Sequence, residues 1–299
     1  MVIKKIFYYI KWLVRCQVLG ERIPLNSSII LTDKCNLHCK HCVVAHLGYN
    51  DQNFSAVQSD IKKLYLAGSR VLVITGGEPF LWRDKNFFME DVVQYAKKLG
   101  FFRVVICTNG TFPLASEADY LWVSLDGFPK EHNLMRGDIY SRVVHNIVTS
   151  PHKRIYINFT ISRVNADDFE KAAERIFKLK NVRGILFHLF TPYLGSEKSL
   201  TLPAAERGEV VRKIYDIKKR HPWKVFNTFD GIKALRDDRW PRRVWGSLTI
   251  NQGEMVPCCC RKGIYDGAVC KNCGCTPAVE TWVLQTAKPL ALLENLRFI

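Results

Sequence analysis

The chain has 299 residues and a net charge of +16, and 47% of its residues are hydrophobic. This length suits one large α/β domain with a small appendage, and the composition is typical of a folded soluble protein. Its eleven cysteines, most of them in two tight clusters, argue against a disulfide scaffold and favour metal ligation in a reducing cytosol. The charge predicts an anionic partner: nucleic acid, phospholipid headgroups or a phosphorylated substrate. Residues 207–243 carry 12 Lys and Arg against 5 Asp and Glu, which a solvated surface would also explain.

The first twenty residues predict a basic amphipathic helix. One helical stripe carries Lys4, Tyr8, Lys11 and Arg15, and the apolar positions include Ile3, Ile6, Phe7, Ile10, Leu13 and Val14. Basic residues interrupt the apolar run, so the segment does not suit a bilayer span, and no small-residue cleavage site of a signal peptide follows it. Such a helix suits a membrane interface; the alternative is a helix docked on the protein's own body.

Strands and helices then alternate. The predicted strands cover 28–32, 70–75, 103–108, 120–125, 154–162 and 184–190, and helical spacing is found at 55–68, 87–100, 166–179 and 204–220. This rhythm predicts right-handed βαβ crossovers and a parallel sheet, whose strands carry the active site at their carboxyl ends. The first cysteine loop, the glycines, Glu78, Asn109, Ser124 and Asp126 all follow strands and are expected to converge there.

Near residue 221 the rhythm stops. Residues 221–243 are predicted to be irregular, and a hairpin is expected around Asn251–Gly253. A cysteine-rich stretch at 258–275 follows, and residues 279–299 look helical apart from Pro289. The predicted units are an amphipathic helix at 1–24, a barrel at 25–222 and a metal-stapled region at 223–299.

The stretch "CNLHCKHC" places Cys35, Cys39 and Cys42 on one loop. A cubane iron–sulfur cluster normally takes four thiolates, so three leave one iron with an open position, which marks chemistry rather than structure. A structural zinc site completed by His38 or His41 is the alternative.

In sequence and order, this loop and the motifs that follow it resemble those of the radical S-adenosylmethionine (SAM) enzymes. The motifs are "CNLHCKHC", "GGEP" at 76–79, "TNG" at 108–110, "SLDG" at 124–127, "HNLMRG" at 132–137 and "INFTISRVN" at 157–165. The resemblance covers about residues 28 to 200 and points to the subgroup with extra cluster domains. It implies a partial (βα)6 TIM-type barrel with a small C-terminal cysteine-rich cluster-binding extension and the N-terminal amphipathic helix.

The resemblance also implies roles for individual residues. Cys35, Cys39 and Cys42 would bind three irons of a [4Fe–4S] cluster, and SAM would chelate the fourth. Gly76, Gly77 and Glu78 would receive its amino group, Ser124 and Arg136 would hold its carboxylate, and His41 would lie against its adenine. Asn109 and Asp126 complete the expected SAM site. Taken singly, each polar residue also has a structural explanation, such as a helix cap or a turn.

The implied reaction is reductive cleavage of SAM to a 5′-deoxyadenosyl radical, which abstracts hydrogen from an unactivated C–H bond. The electron would come from a donor such as ferredoxin or flavodoxin.

The second cysteine group has a less regular pattern. "GEMVPC" is similar to the start of the auxiliary-cluster hairpin of SPASM and twitch relatives, and implies an auxiliary [4Fe–4S] cluster. The expected ligands are Cys258, Cys270, Cys273 and Cys275, with Cys259 or Cys260 as substitutes, and zinc remains an alternative metal. Cys16 and Cys107 are expected to be small buried hydrophobes.

Three hypotheses describe the substrate. The favoured one is a membrane lipid, isoprenoid or lipid-linked molecule, handled by a cytoplasmic enzyme that is peripheral on the inner face of the cell membrane. The second is a peptide, as in peptide-modifying maturases. The third, of another class, is an RNA-binding protein with structural clusters, although no aromatic-interleaved RNA motif is evident.

Overall fold

A computed structural model of the protein describes residues 2–42, 44–193, 196–242, 244–258 and 267–295. Its strands are β1 (Asn26–Thr32), β2 (Val71–Gly76), β3 (Arg83–Asp84), β4 (Phe87–Phe88), β5 (Arg103–Thr108), β6 (Tyr120–Ser124), β7 (Ile155–Ile161), β8 (Val182–Leu189), β9 (Ser247–Asn251) and β10 (Glu254–Pro257). Its helices are α1 (Val2–Gln17), α2 (Phe54–Leu66), α3 (Met89–Leu99), α4 (Pro129–Arg136), α5 (Tyr140–Thr149), α6 (Phe169–Ile176), α7 (Ala204–Arg220), α8 (Phe229–Asp237), α9 (Gly267–Lys271), α10 (Thr276–Gln285) and α11 (Pro289–Asn295).

The predicted parallel α/β sheet is confirmed. Strands β1, β2, β5, β6, β7 and β8 pair in chain order, and every one of these pairs is parallel. Predicted and observed bounds of these six strands differ by at most two residues. All six therefore end at one edge of the sheet, which we call the carboxyl end, and begin at the opposite amino end.

The two faces of the sheet are built differently, because alternate residues of a strand point to opposite sides. In β2, Leu72 and Ile74 are buried in the main core, whereas Val73 packs into a second cluster on the other, inner face. The buried members of this inner cluster are Val105, Tyr120, Tyr156, Leu186 and Phe226. The next inward-facing residues towards the carboxyl end are Cys107 in β5, Asn158 in β7 and His188 in β8. The inner face thus changes from apolar to polar towards the carboxyl end.

The structure corrects three local predictions. Residues 221–243 are not irregular throughout, because Thr228 caps α8 through a hydrogen bond from the Gly231 N–H. Phe87 and Phe88 do not begin the third helix but form β4, which pairs with β3. Pro289 is the first residue of α11, a position where its missing N–H costs nothing.

The predicted hairpin is β9–β10, and it extends the main sheet. Its strands pair antiparallel around Gln252 and Gly253, both of which have positive φ, as a tight two-residue hairpin turn requires. β9 also pairs parallel with β1, in register from Asn26 opposite Ser247. This part of the C-terminal region is therefore hydrogen-bonded to the first strand, although a separate region at 223–299 remains a prediction.

Helix α1 lies across the amino end of the sheet. The Tyr8 hydroxyl donates to Gly68 O and the Trp12 Nε1–H donates to Ile23 O, and these acceptors precede β2 and β1. Trp12 and Cys16 are buried beneath the helix, so the prediction for Cys16 is confirmed. The opposite side of α1 is exposed, while the side chain of Lys4 lies outside the described part of the chain.

Among the described residues, no helix combines the length and the apolar character needed to cross a membrane.

Candidate active site

The first cysteine loop leaves the carboxyl end of β1. Asp33 holds the later part of this loop close to the end of β1, because its carboxylate accepts hydrogen bonds from the N–H groups of Leu47 and Tyr49, both at 2.9 Å. Within the loop, the Cys42 N–H donates to Cys39 O at 3.0 Å. The three predicted ligands Cys35, Cys39 and Cys42 are all partly exposed and lie together on this turn.

Glycine brings the loop after β2 into direct contact with the cysteine loop. A Cβ on Gly76 would lie 2.2 Å from Thr32 O, and one on Gly77 would lie 2.1 Å from Lys34 O. The close approach allows two backbone hydrogen bonds, from Gly77 to Thr32 O at 2.7 Å and from Glu78 to Lys34 O at 2.8 Å. Gly76 also has φ of +134°, which favours glycine.

Glu78 is buried and joins the loops after β2 and β5. Its carboxylate accepts from the Thr108 hydroxyl at 2.8 Å and from the Asn109 N–H at 2.7 Å. It also accepts from the Phe80 N–H at the start of a 3₁₀ turn, the capping role that was its structural alternative. Burial raises the pKa of Glu78 to about 7. Thr108 was not identified from the sequence, although it belongs to the "TNG" motif.

Asn109 extends this network to the cysteines. Its Nδ2 donates to Asn36 Oδ1 at 2.9 Å and lies 3.7 Å from Cys35 Sγ. Its Oδ1 accepts from the N–H and the hydroxyl of Thr111. The side chain is therefore held in one orientation, with an N–H directed at a predicted ligand sulfur.

Asp126 and Arg136 form a buried ion pair beside the loop. Arg136 Nε donates to Asp126 Oδ2 at 2.5 Å, and Asp126 Oδ1 accepts from the Thr160 N–H. Burial alone would raise the pKa of Asp126, but Arg136 and then His41 outweigh it and hold that pKa low. His41 therefore lies close enough to the pair to act on it electrostatically.

Helix α4 presents Arg136 to the cysteines. The Lys40 N–H donates to Met135 O at 3.0 Å, and Arg136 Nη1 lies 4.0 Å from Cys39 Sγ. Burial would lower the pKa of Arg136, but Asp126 and Cys39 raise it overall, so the guanidinium stays charged. Burial raises the pKa of the Cys39 thiol to about 11.

The remaining predicted SAM contacts also lie at this end. Ser124 is the last residue of β6, partly exposed, and stands in register with Asn158.

In the cysteine loop, the rings of His38 and His46 stack with centroids 4.0 Å apart. Among the described residues, no three His, Cys, Asp or Glu side chains are arranged to hold a single metal ion.

Polar side chains on the inner face were missed from the sequence. His188 Nε2 and Asn158 Oδ1 are 3.2 Å apart, and Asn158 Nδ2 lies 3.9 Å from Cys107 Sγ. Burial lowers the pKa of His188. Cys107 thus contacts polar groups instead of packing as a plain hydrophobe. The available signal was the presence of Asn158 and His188 near the carboxyl ends of otherwise apolar strands.

The second cysteine group reaches the same end of the sheet. The Leu189 N–H at the end of β8 donates to Gly274 O at 3.2 Å, and the Gly274 N–H donates to the Thr191 hydroxyl at 2.9 Å. A Cβ on Gly274 would lie 2.2 Å from Leu189 O, so only glycine permits this contact.

The thiols of this group are close to one another. The Cys275 N–H lies 3.3 Å from Cys273 Sγ. The Cys275 thiol first, then burial, raise the pKa of Cys273, and Cys258 adds to the effect. Cys258 and Cys270 are buried. Cys259 and Cys260 lie outside the described residues.

Comparisons with known proteins agree with this geometry. Residues 29–176, about half of the chain, match the model of the Radical SAM superfamily. A GTP 3′,8-cyclase from Limosilactobacillus fermentum is 32% identical over 167 residues, which are 50% of this chain and 49% of the cyclase. An AdoMet-dependent heme synthase from Nitratidesulfovibrio vulgaris is 27% identical over 210 residues, which are 63% of this chain and 55% of the synthase. The chain thus spans about half the length of the curated relatives it matches.

Solved structures share the fold. Streptococcus suis SuiB bound to S-adenosylmethionine superposes with a TM-score of 0.65 at 14% identity, covering 85% of this chain and 64% of SuiB. SuiB bound to its precursor peptide SuiA gives a TM-score of 0.64 at 12% identity, covering 89% of this chain and 67% of SuiB. At these identities the likeness concerns the fold alone.

Proposed function

Because this chain belongs to the radical SAM superfamily, we propose that the loop of Cys35, Cys39 and Cys42 holds a [4Fe–4S] cluster that binds SAM. The observation that carries this assignment is the pair of N–H groups directed at the sulfurs, from Asn109 to Cys35 and from Arg136 to Cys39. Such donors suit thiolates that carry a cluster, because hydrogen bonds to the sulfurs tune its potential. When bound, the cluster and SAM supply a 5′-deoxyadenosyl radical that takes a hydrogen atom from a C–H bond.

The residues around the loop would bind SAM as follows. Gly76, Gly77 and Glu78 receive its amino group, since each carboxylate oxygen of Glu78 can accept more than one hydrogen bond. Asp126 occupies Nε of Arg136 and fixes the plane of the guanidinium, which leaves its Nη groups for the carboxylate together with Ser124. His41 would lie against the adenine.

The second cysteine group would hold an auxiliary cluster. Cys258, Cys270, Cys273 and Cys275 are its proposed ligands, supported by the mutual electrostatic effect of the thiols of Cys258, Cys273 and Cys275. Since Gly274 ties this group to β8, the auxiliary site would stand beside His188 on the inner face. There it could transfer electrons or hold substrate.

The favoured substrate is a lipid or lipid-linked molecule reached from an anionic membrane surface. The exposed apolar side of α1 supports this proposal. A peptide is the second candidate, supported by the fold that this chain shares with a SuiB structure bound to a precursor peptide. Since the chain belongs to an enzyme family, an RNA-binding protein with purely structural clusters is no longer the simplest interpretation of its charge.

Reductive SAM cleavage tests the core of the proposal. Anaerobically reconstituted protein with reduced flavodoxin or ferredoxin should form 5′-deoxyadenosine. A cluster-loaded protein that forms none would contradict it.

Deuterium transfer would then separate the substrate classes. Lipid and peptide fractions extracted from cells grown on deuterated medium are supplied separately, and the mass of the 5′-deoxyadenosine is measured. Deuterium from the lipid fraction alone supports the favoured substrate, and deuterium from the peptide fraction alone replaces it with the second candidate.

A further inference from the structure

Helix α1 is fixed to the amino end of the sheet by contacts to three separate strands. Lys5 Nζ donates to Phe102 O at 3.3 Å, just before β5, while Tyr8 and Trp12 donate to carbonyls just before β2 and β1. Tyr8 also packs edge-on against Phe102, with ring centroids 5.2 Å apart. The helix is therefore part of the folded body, and its orientation relative to the barrel is set.

The other side of α1 is apolar and uncovered. Residues 3, 7, 10 and 14 share one face at helical spacing, and Ile6 lies beside them. The exposed fractions of these residues range from 42% for Ile6 to 81% for Ile3, with Phe7, Ile10 and Val14 between them. Trp223 is also exposed, at 73%. It comes shortly before Val225, which forms a parallel bridge with Ile185 of β8, so Trp223 lies towards the amino end as well.

Exposed positive charge lies at the same end of the sheet as this apolar face. Lys153 and Arg154 precede β7, Lys178 and Lys180 precede β8, and Arg183 is the second residue of β8. Within the described part of the chain, none of these five has a carboxylate oxygen within 4 Å of its charged nitrogens. Arg154 acts on the pKa of Lys5, and this places the start of β7 near α1.

The stretch at 207–243 contributes less free charge than its composition suggests. Much of it is paired within the protein, as in Arg212–Asp216, Lys218–Glu294 and Arg242–Asp238. Among the described residues, the loops before β7 and β8 and the start of β8 add five cations without an ion pair at the amino end of the sheet.

We propose that the amino end of the sheet is the surface that docks on an anionic bilayer, with the SAM-binding mouth turned away from it. This inference rests on the proposed function for the position of the mouth and deepens it by fixing the side on which the membrane lies. A rigid apolar stripe bordered by unpaired lysines and arginines complements acyl chains beneath anionic headgroups.

The orientation limits the part of the substrate that can react. β7 has seven residues, so its ends are about 20 Å apart at about 3.3 Å per residue. Because the strands of such a barrel tilt by about 36°, the carboxyl end lies roughly 16 Å above the amino end, and the reacting carbon is about that far from the headgroups. A carbon within the acyl region cannot reach it, whereas the polar head of a lipid-linked molecule can.

Sedimentation with vesicles of phosphatidylcholine and phosphatidylglycerol tests the apolar face. Phe7→Ser/Ile10→Ser should lower partitioning at least tenfold, since each side chain loses its transfer into the acyl boundary. Phe88→Ser is the matched control, because Phe88 is 53% exposed but lies on β4, away from the amino end, and should change partitioning less than twofold. These changes avoid the buried Trp12 and Cys16, which deletion of residues 1–20 would remove together with the membrane face.

A second test neutralises two lysines at the proposed docking surface. Lys153→Gln/Lys180→Gln should lower partitioning by about fivefold per residue at low salt, and the loss should shrink at high salt. Lys85→Gln/Lys130→Gln removes the same charge away from the amino end and should have little effect.

Hydrogen exchange with and without vesicles tests the orientation itself. Protection should appear at residues 2–22 and around 221–224, and not at 34–50 or 127–139. Protection of the latter two segments, equal partitioning of Phe7→Ser/Ile10→Ser and Phe88→Ser, or absence of vesicle binding at low salt would overturn the proposal. So would a dimer in solution that Phe7→Ser/Ile10→Ser dissociates. SAM cleavage in vesicle-free solution is measured on every variant, because its loss in the wild type would count against the proposed function rather than the docking surface.

Discussion

The two cysteine groups meet the same end of the sheet in different ways. Around the first group, N–H donors from other elements point at the sulfurs of Cys35 and Cys39. In the second group the thiols of Cys273 and Cys275 are close to each other, and Cys258 is part of the main core. A loop that presents sulfurs to polar neighbours suits a site with an open position, whereas thiols packed together in a core suit a closed one.

The position of both groups nevertheless depends on glycine. Gly77 allows the cysteine loop to touch the loop after β2, and Gly274 allows the second group to touch β8. The difference between the two groups can therefore be tested with substitutions that disrupt one group at a time.

The largest effect is expected from removing the first ligand set. Cys35→Ala/Cys39→Ala/Cys42→Ala should abolish 5′-deoxyadenosine formation while iron remains bound by the C-terminal group. Iron analysis and product chromatography measure the two results. If iron falls to nothing in this variant, the second group is not an iron–sulfur site.

The glycines should separate the two sites next. Gly77→Ala should reduce SAM cleavage more than tenfold and leave the second group's iron in place, because its Cβ would meet Lys34 O at 2.1 Å. Gly274→Ala should lower the iron content of the second group and leave SAM cleavage in place, since its Cβ would meet Leu189 O at 2.2 Å.

Gly208→Ala is the control for both glycines. Nothing lies within 4 Å of its Cβ position in α7, so iron content and SAM cleavage should not change. Equal damage from Gly77→Ala and Gly274→Ala to both sites would mean that the two groups fold as one unit.

Arg136→Lys should have a smaller effect, confined to the first site. SAM affinity should fall about tenfold, because an ammonium cannot hold a carboxylate through two parallel hydrogen bonds as a guanidinium does. Calorimetric titration with SAM measures the change, with the exposed Arg142→Lys as the control. Unchanged affinity would remove Arg136 from the SAM site.

The smallest effect concerns a carboxylate near the second group. Glu280 in α10 accepts hydrogen bonds from the N–H and hydroxyl of Thr228, and burial raises its pKa to about 7. The unfolded chain loses this proton near pH 4.5 and the folded protein keeps it to about pH 7, so stability should fall as pH rises through that window. The loss is on the order of 3 kcal/mol for a shift of this size.

Urea unfolding between pH 5 and pH 8 measures this loss. Glu280→Gln should flatten part of the decline and leave the share that Glu78 contributes through its own raised pKa. A Glu280→Gln variant whose stability falls as steeply as the wild type's would show that Glu280 is already ionised in the folded protein.

The sequence predicted best where local pattern and chemistry coincide. Short apolar runs, of which only 154–162 alternates, located the six parallel strands, and the position of Glu78, Asn109 and Asp126 directly after strands was enough to bring them together. It failed where the signal was weak or misleading: α8 depends on a Thr228 cap inside a polar stretch, and Phe87–Phe88 pair with β3 although they continue a helical pattern.

By itself, the sequence determined the parallel order of the strands, the end at which the polar motifs meet and the family to which the chain belongs. Each follows from residues close together in the chain, because a strand's burial pattern and a loop's ligands are set locally. Only the tertiary structure decided which groups contact the sulfurs, that β9 pairs with β1, and that α1 lies at the end opposite the cysteines. These contacts join residues far apart in the chain, and their geometry depends on how whole elements pack, so no local pattern encodes them.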